Sequence, residues 1–169
     1  MRYTFSLTSI LLALSILTAP AADPARPDFS GRWELDAAKS EGVPAETKQS
    51  MTVKKTGNGF EVETKITGPE QNRTVNDTFV LDGKPAEFTP AMLAGGTAKK
   101  GTRTASWSAD GSGMDVIEEA EVETPMGADT LKGKRTWRLS EGGKVLTIEI
   151  DLAGKEGRAI KGKRVYQKQ

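Results

Sequence analysis

Three ionisable residues, Arg103, Glu118 and Arg135, have the types and the spacing that could build a shared polar site. Each lies in a segment of alternating apolar and polar residues and has the phase of its apolar neighbours, so all three are predicted on one sheet face. Buried charges need partners, and two Arg beside one Glu leave one cation that could receive a ligand carboxylate. Two alternatives remain: the charges only satisfy one another in a water-filled interior, or the row is exposed to solvent.

The chain contains no His and no Cys. Ser–His and Cys–His nucleophile pairs, His-ligated zinc and disulfides are therefore impossible. Any catalysis would need carboxylates, Lys or Tyr, and no motif for hydrolysis by a carboxylate pair is present. We predict that the protein is not an enzyme and uses no cofactor.

One acidic group could attract calcium, and its members are Asp115, Glu118, Glu119, Glu121 and Glu123. Alternation divides this group between the two faces of a strand, and its outer members are expected to face Lys132 and Lys134. We therefore predict no metal site.

The N-terminus is typical of a secretory signal peptide. Arg2 supplies a basic region, an apolar run follows from Leu7 to Leu17, and Ala19-Pro20-Ala21 is a small-x-small cleavage site. The run is shorter than the roughly 20 residues that cross a bilayer. We predict cleavage near Ala22, one domain over residues 22–169, and a periplasmic or secreted protein without a membrane span.

Removal of residues 1–21 leaves a chain with equal numbers of acidic and basic residues, because Arg2 is the only charged residue of that segment. Nucleic-acid binding relies on a net basic face. A nucleic-acid partner is therefore not expected.

Alternation with a period of two recurs from Met51 to the C-terminus and is broken by turns that contain Gly. Asn58-Gly59, Asp110-Gly111 and Gly142-Gly143 suit two-residue hairpin loops because they tolerate positive φ. The predicted strands are 29–36, 48–56, 59–67, 72–82, 99–108, 113–124, 129–141, 144–153 and 158–168.

Hairpin loops fix which residues face each other across two strands. A two-residue loop at Asp110-Gly111 places Arg103 opposite Glu118. A four-residue loop over 125–128 then places Glu118 opposite Arg135. The same pairing puts charged residues of opposite sign together on the other face, as expected for a solvated surface.

The next two loops continue the same face. A loop at Gly142-Gly143 places Arg135 opposite Ile150, and a five-residue loop over 153–157 places Ile150 opposite Ile160. The residues predicted to point inward are Trp107, Met114, Val116, Val122, Leu131, Trp137, Leu139, Leu146, Ile148, Ile150 and Ile160.

A meander of this length with one apolar side either packs as a sandwich or closes on itself, and closure removes exposed edges. We predict an all-β protein, an antiparallel up-and-down β-barrel of 8–10 strands. The uncharged stretch 88–98 is either a mobile flap over one barrel mouth or an ordinary surface crossover.

Two short motifs resemble known families. Gly31-Arg32-Trp33 resembles the Gly-x-Trp opening of calycins, the superfamily that joins lipocalins to fatty-acid-binding proteins. Arg164-Val165-Tyr166 is similar to the Arg-x-Tyr closing strand of the fatty-acid-binding proteins. The resemblance implies a lipocalin-like barrel, although the Thr-Asp-Tyr-type motif and the C-terminal helix of lipocalins are missing. A bacterial lipocalin-like protein, with eight or more strands and no lid helices, fits best.

The closing motif implies a role for two residues. In fatty-acid-binding proteins its Arg and Tyr hold the ligand carboxylate inside the barrel, which by resemblance assigns that role to Arg164 and Tyr166. In calycins more broadly a basic residue near the end packs on the opening Trp, so Arg164 stacked on Trp33 is the alternative.

The sequence also departs from the fatty-acid-binding proteins, because Gly42 and Pro44 leave no room for their helix-turn-helix lid. The expected function is binding of a small hydrophobic or amphipathic, anionic molecule, with Trp107 and Trp137 as further contacts. The alternative is a structural or interaction module of the bacterial envelope with no ligand.

Overall fold

The structure, a computed structural model, describes residues 26–68, 71–90, 97–124, 127–154 and 159–169. They form one antiparallel sheet of ten strands in the order β4-β3-β2-β1-β10-β9-β8-β7-β6-β5. The strands are β1 Gly31–Leu35, β2 Lys48–Lys55, β3 Gly59–Gly68, β4 Gln71–Val80, β5 Pro85–Phe88, β6 Thr97–Trp107, β7 Gly113–Thr124, β8 Gly127–Ser140, β9 Val145–Ala153 and β10 Ala159–Lys168.

The sheet curls into a nearly closed barrel. The last strand, β10, pairs with β1, so the two halves of the meander join. Of the described strands, β4 and β5 are the two sheet ends, and no ladder joins them. The Gly83 amide on the turn between them donates to the Ala105 carbonyl on β6 at 3.2 Å, which brings the ends together. The prediction of an antiparallel barrel with 8–10 strands is confirmed.

The predicted register is confirmed in two hairpins. Arg103 on β6 faces Glu118 on β7, as a two-residue loop at Asp110-Gly111 requires. Arg135 on β8 faces Ile150 on β9, although the connection includes a short 3-10 turn, Glu141–Gly143.

Two other hairpins are shifted by two residues from the prediction. Thr124 pairs with Gly127, so Glu118 faces Gly133 rather than Arg135. In the last hairpin, Ile150 faces Gly162 rather than Ile160. The predicted loops were too long or misplaced, because the sequence marks these two turns less clearly than the Gly dipeptides mark the others. A shift of two preserves the inward face, whereas a shift of one would invert it.

Strand β5 was not predicted. Its four residues begin at Pro85 and end at Phe88. Of these, Phe88 was assigned to the uncharged stretch 88–98. Pro at the start of a short edge strand is compatible with pairing on one side only. Residues 91–96 lie outside the described part of the chain, so the flap stays a prediction for them. Strand β6 already begins at Thr97.

The barrel interior at one end, the closed end, is packed. Residues 26–30 lie across this end, where the Phe29 ring contacts the rings of Phe60 and Trp137 with centroids 5.5 and 5.8 Å away. The Trp33 indole nitrogen donates to the Phe29 carbonyl at 2.9 Å and fixes the segment. The apolar cluster comprises Phe29, Trp33, Met51, Val53, Phe60, Val62, Phe79, Ala105, Met114, Val116, Trp137, Leu146, Ile148 and Tyr166.

The predicted inward face is confirmed by burial. Every residue of that set is buried or half-buried, whereas Glu119 and Lys134 on the other face are exposed. Among the described residues, no helix is long and apolar enough to cross a membrane.

Candidate functional site

A row of four charged side chains crosses the barrel interior from β4 to β8. Arg103 Nη2 lies 2.7 Å from Asp77 Oδ1, and Arg103 Nε lies 3.7 Å from Glu118 Oε1. Glu118 Oε2 in turn lies 2.9 Å from Arg135 Nε. The Arg103 and Glu118 side chains are each only 5% exposed. The predicted contact among Arg103, Glu118 and Arg135 is therefore present.

The structure corrects the predicted charge balance of this row. Asp77 supplies a second carboxylate, so two guanidinium groups face two carboxylates and no surplus cation remains in the row. Asp77 shares the alternating phase of Val75 and Phe79, but nothing in the sequence pairs it with Arg103. Only barrel closure brings β4 close to β6.

Two phenyl rings enclose the Arg103 guanidinium. Its Cζ lies 4.8 Å from the centroid of the Phe79 ring and 3.8 Å from that of Phe88. A cation over an aromatic face is attracted by the ring quadrupole, and the attraction grows when both groups leave water. Arg103 is thereby fixed on both sides and is a structural part of the interior.

Phe88 reaches the interior because β6 has a glycine beneath it. A Cβ at Gly101 would lie 2.7 Å from Phe88 Cε1 and 2.9 Å from the Cβ of Ala120. Any side chain at this position would displace the ring. The β5–β7 side of the barrel is consequently filled by Phe88.

A second polar group lies on β10 and β2. The Gln49 amide nitrogen donates to the Tyr166 hydroxyl at 2.9 Å, and Tyr166 is almost fully buried. Burial raises the pKa of Tyr166 to about 12, while nearby Arg164 and Arg135 and the bond from Gln49 act in the opposite direction. The phenol is therefore a neutral group that can donate or accept a hydrogen bond.

Arg164 has the inward phase of β10 and lies beside Tyr166. Its Nη1 donates to the carbonyl of Glu41 and, at 3.2 Å, to that of Lys163. Among the described residues, no carboxylate lies within ion-pair distance of Arg164. The alternative packing is wrong for Arg164, because Lys168 Nζ is the cation over the Trp33 ring, 5.2 Å from its centroid.

Of the two predicted Trp contacts, Trp137 lies in the same cross-strand row as Arg164, on the other side of Ile148, whereas Trp107 lies farther around the barrel. Trp107 is at the closed end, with the Phe29 ring stacked 6.3 Å away and Arg26 over its ring at 5.4 Å. Trp137 is buried in the apolar cluster, with its ring 5.6 Å from that of Phe79. Both belong to the packed half of the barrel, because the Phe29 ring contacts both indole rings and fills the space where a ligand was expected.

Polar side chains from six strands thus form one layer across the interior, called here the polar belt. Its members are Gln49, Asp77, Arg103, Glu118, Arg135, Arg164 and Tyr166. The apolar cluster fills the barrel on one side of the belt. On the other side, the mouth half, the inward apolar residues Ile66, Val75, Val122 and Ile160 are only half-buried.

The chemistry of the belt suits an anion better than a metal ion. Its two carboxylates already face Arg103 and Arg135. Its other groups, the guanidinium groups, a phenol and an amide, can all donate hydrogen bonds. Within the described residues, no group of three or more acidic side chains is arranged to hold a metal ion. The predicted acidic group is divided between two faces, with Glu118 inside and Glu119 exposed.

The fold is similar to that of two solved structures. One is human cRBP IV, at 16% sequence identity and a TM-score of 0.50, with 85% of this chain and 99% of that chain covered. The other is the zebrafish ileal bile acid-binding protein complexed with cholic acid, at 19% identity and a TM-score of 0.51, with 83% and 98% covered. No family model and no curated protein matches the sequence.

Fold and site together define the class of this protein. It is an antiparallel ten-stranded β-barrel, similar in fold to these two structures, with one packed half and a polar belt across its interior.

Proposed function

We propose that this chain is an exported binding protein that holds a small amphipathic anion in the mouth half of its barrel. The carboxylate of the ligand binds Arg164 and the Tyr166 hydroxyl, with Arg135 adjacent. The observation that carries the proposal is the inward Arg164, whose partners among the described residues are two backbone carbonyls rather than a carboxylate. A guanidinium group forms stronger, bidentate hydrogen bonds with a carboxylate than with a neutral carbonyl.

The surroundings of Arg164 support the same role. Arg135 is 32% exposed and contacts Glu118 through Nε. A ligand anion there gains attraction from two guanidinium groups, in surroundings less polar than water. The half-buried apolar residues of the mouth half offer a surface for its apolar part.

Titration of the purified protein tests this proposal. Decanoate should bind at least tenfold more tightly than decanol, a difference of about 1.4 kcal/mol. Arg164→Gln should remove the preference for the acid. Arg138→Gln is the matched control, because Arg138 contacts Ser108 and Asp110 in the turn between β6 and β7.

The results separate the candidate functions. Equal affinity for acid and alcohol would contradict the anion site and leave an apolar carrier. If neither compound binds, the carrier is contradicted, and a structural or interaction module of the envelope becomes the better proposal.

We also propose that residues 1–21 direct export of the protein. The supporting observation is the basic, apolar and small-x-small order of that segment. The intact mass of protein recovered outside the cytoplasm should correspond to a chain that begins at Ala22. Full-length protein in the cytoplasm would contradict export.

A further inference from the structure

The hydrogen bond between Gln49 and Tyr166 joins two strands that do not pair with each other. Ser50 on β2 faces Glu34 on β1, and Leu35, the next residue of β1, faces Tyr166 on β10. Gln49 and Tyr166 therefore flank Leu35 on the inward face, about 10 Å apart at the usual strand spacing of about 4.8 Å. Their side chains span this gap, and the Gln49 amide nitrogen lies 2.9 Å from the phenol oxygen.

The direction of this bond decides what the phenol can offer a ligand. The Gln49 amide nitrogen is the donor, and the Tyr166 oxygen is the acceptor. Burial raises the pKa of Tyr166 to about 12, so the hydroxyl keeps its proton at neutral pH. Arg164 and Arg135, the charged side chains that act on the phenol, carry donors only. Within the described ranges, the Tyr166 proton therefore has no acceptor, and the buried hydroxyl has an unused donor.

An acceptor oxygen from a ligand completes the bonding of this hydroxyl. A buried donor without a partner costs free energy, and a ligand oxygen at hydrogen-bond distance removes that cost. Because the Gln49 amide already occupies the phenol oxygen, the O–H bond of Tyr166 points away from Gln49. Donation by Gln49 also polarises the phenol, which strengthens the hydrogen bond that its proton can form.

The orientation of Arg164 favours the same kind of ligand atom. Its Nη1 donates to the carbonyls of Glu41 and Lys163, which uses both protons of that nitrogen. In the part of the chain that the structure describes, Nε and Nη2 of Arg164 form no hydrogen bond. This edge of the guanidinium matches the two oxygens of a carboxylate. Arg164 and the phenol therefore both offer donors to the ligand.

We propose that Gln49 is a specificity-determining residue that acts through Tyr166: it holds the phenol hydroxyl as a donor, so that the belt selects head groups whose oxygens only accept hydrogen bonds. Carboxylates belong to this class, whereas an alcohol carries a proton of its own that needs an acceptor. This inference rests on the proposed function. Gln49 is a positioning residue, because it acts on the ligand carboxylate through the phenol.

The hydrogen-bond role of Tyr166 can be measured without a ligand. In the Raman spectrum of tyrosine, the intensity ratio of the Fermi doublet distinguishes a hydroxyl that accepts a hydrogen bond from one that donates. The spectrum of Tyr166→Phe is subtracted to remove Tyr3, the other tyrosine of the chain. We expect the ratio of an acceptor in the wild type and that of a donor in Gln49→Glu, whose carboxylate takes the phenol proton. Decanoate should shift the wild-type ratio toward that of a donor.

Titration with decanoate and decanol measures the effect on specificity. Gln49→Met keeps the length of the side chain and removes the amide. It should raise the Kd of decanoate about fivefold, which corresponds to about 1 kcal/mol, and that of decanol less than about twofold. Part of the preference for the acid remains through Arg164. Gln167→Met is the matched control and should change neither Kd, because Gln167 has the outward phase beside Tyr166 and its amide lies 3.4 Å from Asp36.

Gln49→Glu is a second binding variant if Gln49→Met does not fold. It should remove the preference for decanoate, because the phenol proton is then occupied and the new carboxylate repels the ligand anion.

Two results would overturn the inference and leave the proposed function in place. One is a donor ratio in the ligand-free wild type, because the phenol would then already donate to the Gln49 oxygen. The other is an equal preference for the acid in the wild type, Gln49→Met and Gln167→Met, while Arg164→Gln still removes it. If the wild type binds decanoate no more tightly than decanol, the proposed anion site is contradicted, and this inference with it.

Discussion

Arg103 on β6 and Asp77 on β4 form an ion pair of 2.7 Å between strands that no backbone ladder connects. The pair spans the one seam that the described strands leave in the barrel. Asp77 and Glu118 contact the same guanidinium, so the charge row links the seam to the continuous part of the sheet through β7. The row thus holds the barrel together at the level of the polar belt.

Removal of Glu118 should destabilise the protein strongly. In Glu118→Gln, Arg135 loses its carboxylate partner and Arg103 keeps only Asp77, at a site that is largely buried. Breaking a buried ion pair of this kind costs on the order of 3 kcal/mol. The free energy of unfolding in urea at neutral pH measures the loss. The control is Glu119→Gln, since Glu119 contacts Lys132 at 2.9 Å on the exposed face and such pairs contribute less than about 1 kcal/mol.

Equal losses in the two variants would contradict a structural role for the charge row. An unchanged unfolding midpoint for Glu118→Gln would do so as well.

The contact between Glu118 and Arg135 was predicted correctly, although the register between β7 and β8 was not. The two residues are diagonal neighbours, because Glu118 faces Gly133 and Arg135 faces Val116. Long side chains reach diagonal partners, so the ion pair forms in either register. The partner Asp77 could not be predicted, because its contact depends on how far the sheet curls, which no local pattern encodes.

The aromatic ring of Phe29 should be essential for the packed half. Its ring is fully buried between the rings of Phe60, Trp107 and Trp137. Phe29→Ala should lower the free energy of unfolding by about 3–5 kcal/mol, the range for a large aromatic residue removed from a core. Ile117→Ala on the exposed face serves as the control and should cost less than about 0.5 kcal/mol. A loss of similar size in the two variants would contradict the closed end described above.

The sequence predicted the strands around the interior better than the contents of the interior. Alternation identified the inward phase of β6 to β10 because that phase depends only on neighbouring residues. Phe29 was assigned to the first strand, and nothing in its local pattern distinguishes an aromatic residue that pairs in a ladder from one that closes the barrel end. Trp107 was therefore expected at a cavity that Phe29 fills.

Gly101 should tolerate no side chain. Gly101→Ala places a Cβ within 3.0 Å of Phe88 Cε1, Ala120 Cβ and the Glu119 carbonyl oxygen. Overpacking of this kind costs about 1–3 kcal/mol. Gly57→Ala is the control, because a Cβ there meets nothing within 4 Å. Thermal melting of the two variants compares them directly, and an equal melting temperature would show that Phe88 is not held inside the barrel.

The ionisation of Tyr166 reports on the polar belt without a ligand. Burial raises the pKa of its phenol to about 12, above the ordinary value of about 10. The full chain has one other tyrosine, Tyr3, so the difference in phenolate absorbance between the wild type and Tyr166→Phe isolates this group. We expect the difference signal to have its midpoint near pH 12 in the folded protein and near pH 10 after unfolding in urea.

The raised pKa of Tyr166 also makes the free energy of unfolding fall as the pH rises above about 10. Below about pH 10 the phenol is neutral in both states, and its contribution to stability is complete. Between about pH 10 and pH 12 only the unfolded state loses the proton, so the free energy of unfolding should fall by on the order of 2–3 kcal/mol relative to Tyr166→Phe.

Bound decanoate should move the absorbance midpoint upward, because an anion beside the phenol disfavours phenolate. A midpoint near pH 10 in the folded protein would contradict the burial of Tyr166, and a midpoint unchanged by bound decanoate would place the carboxylate away from it.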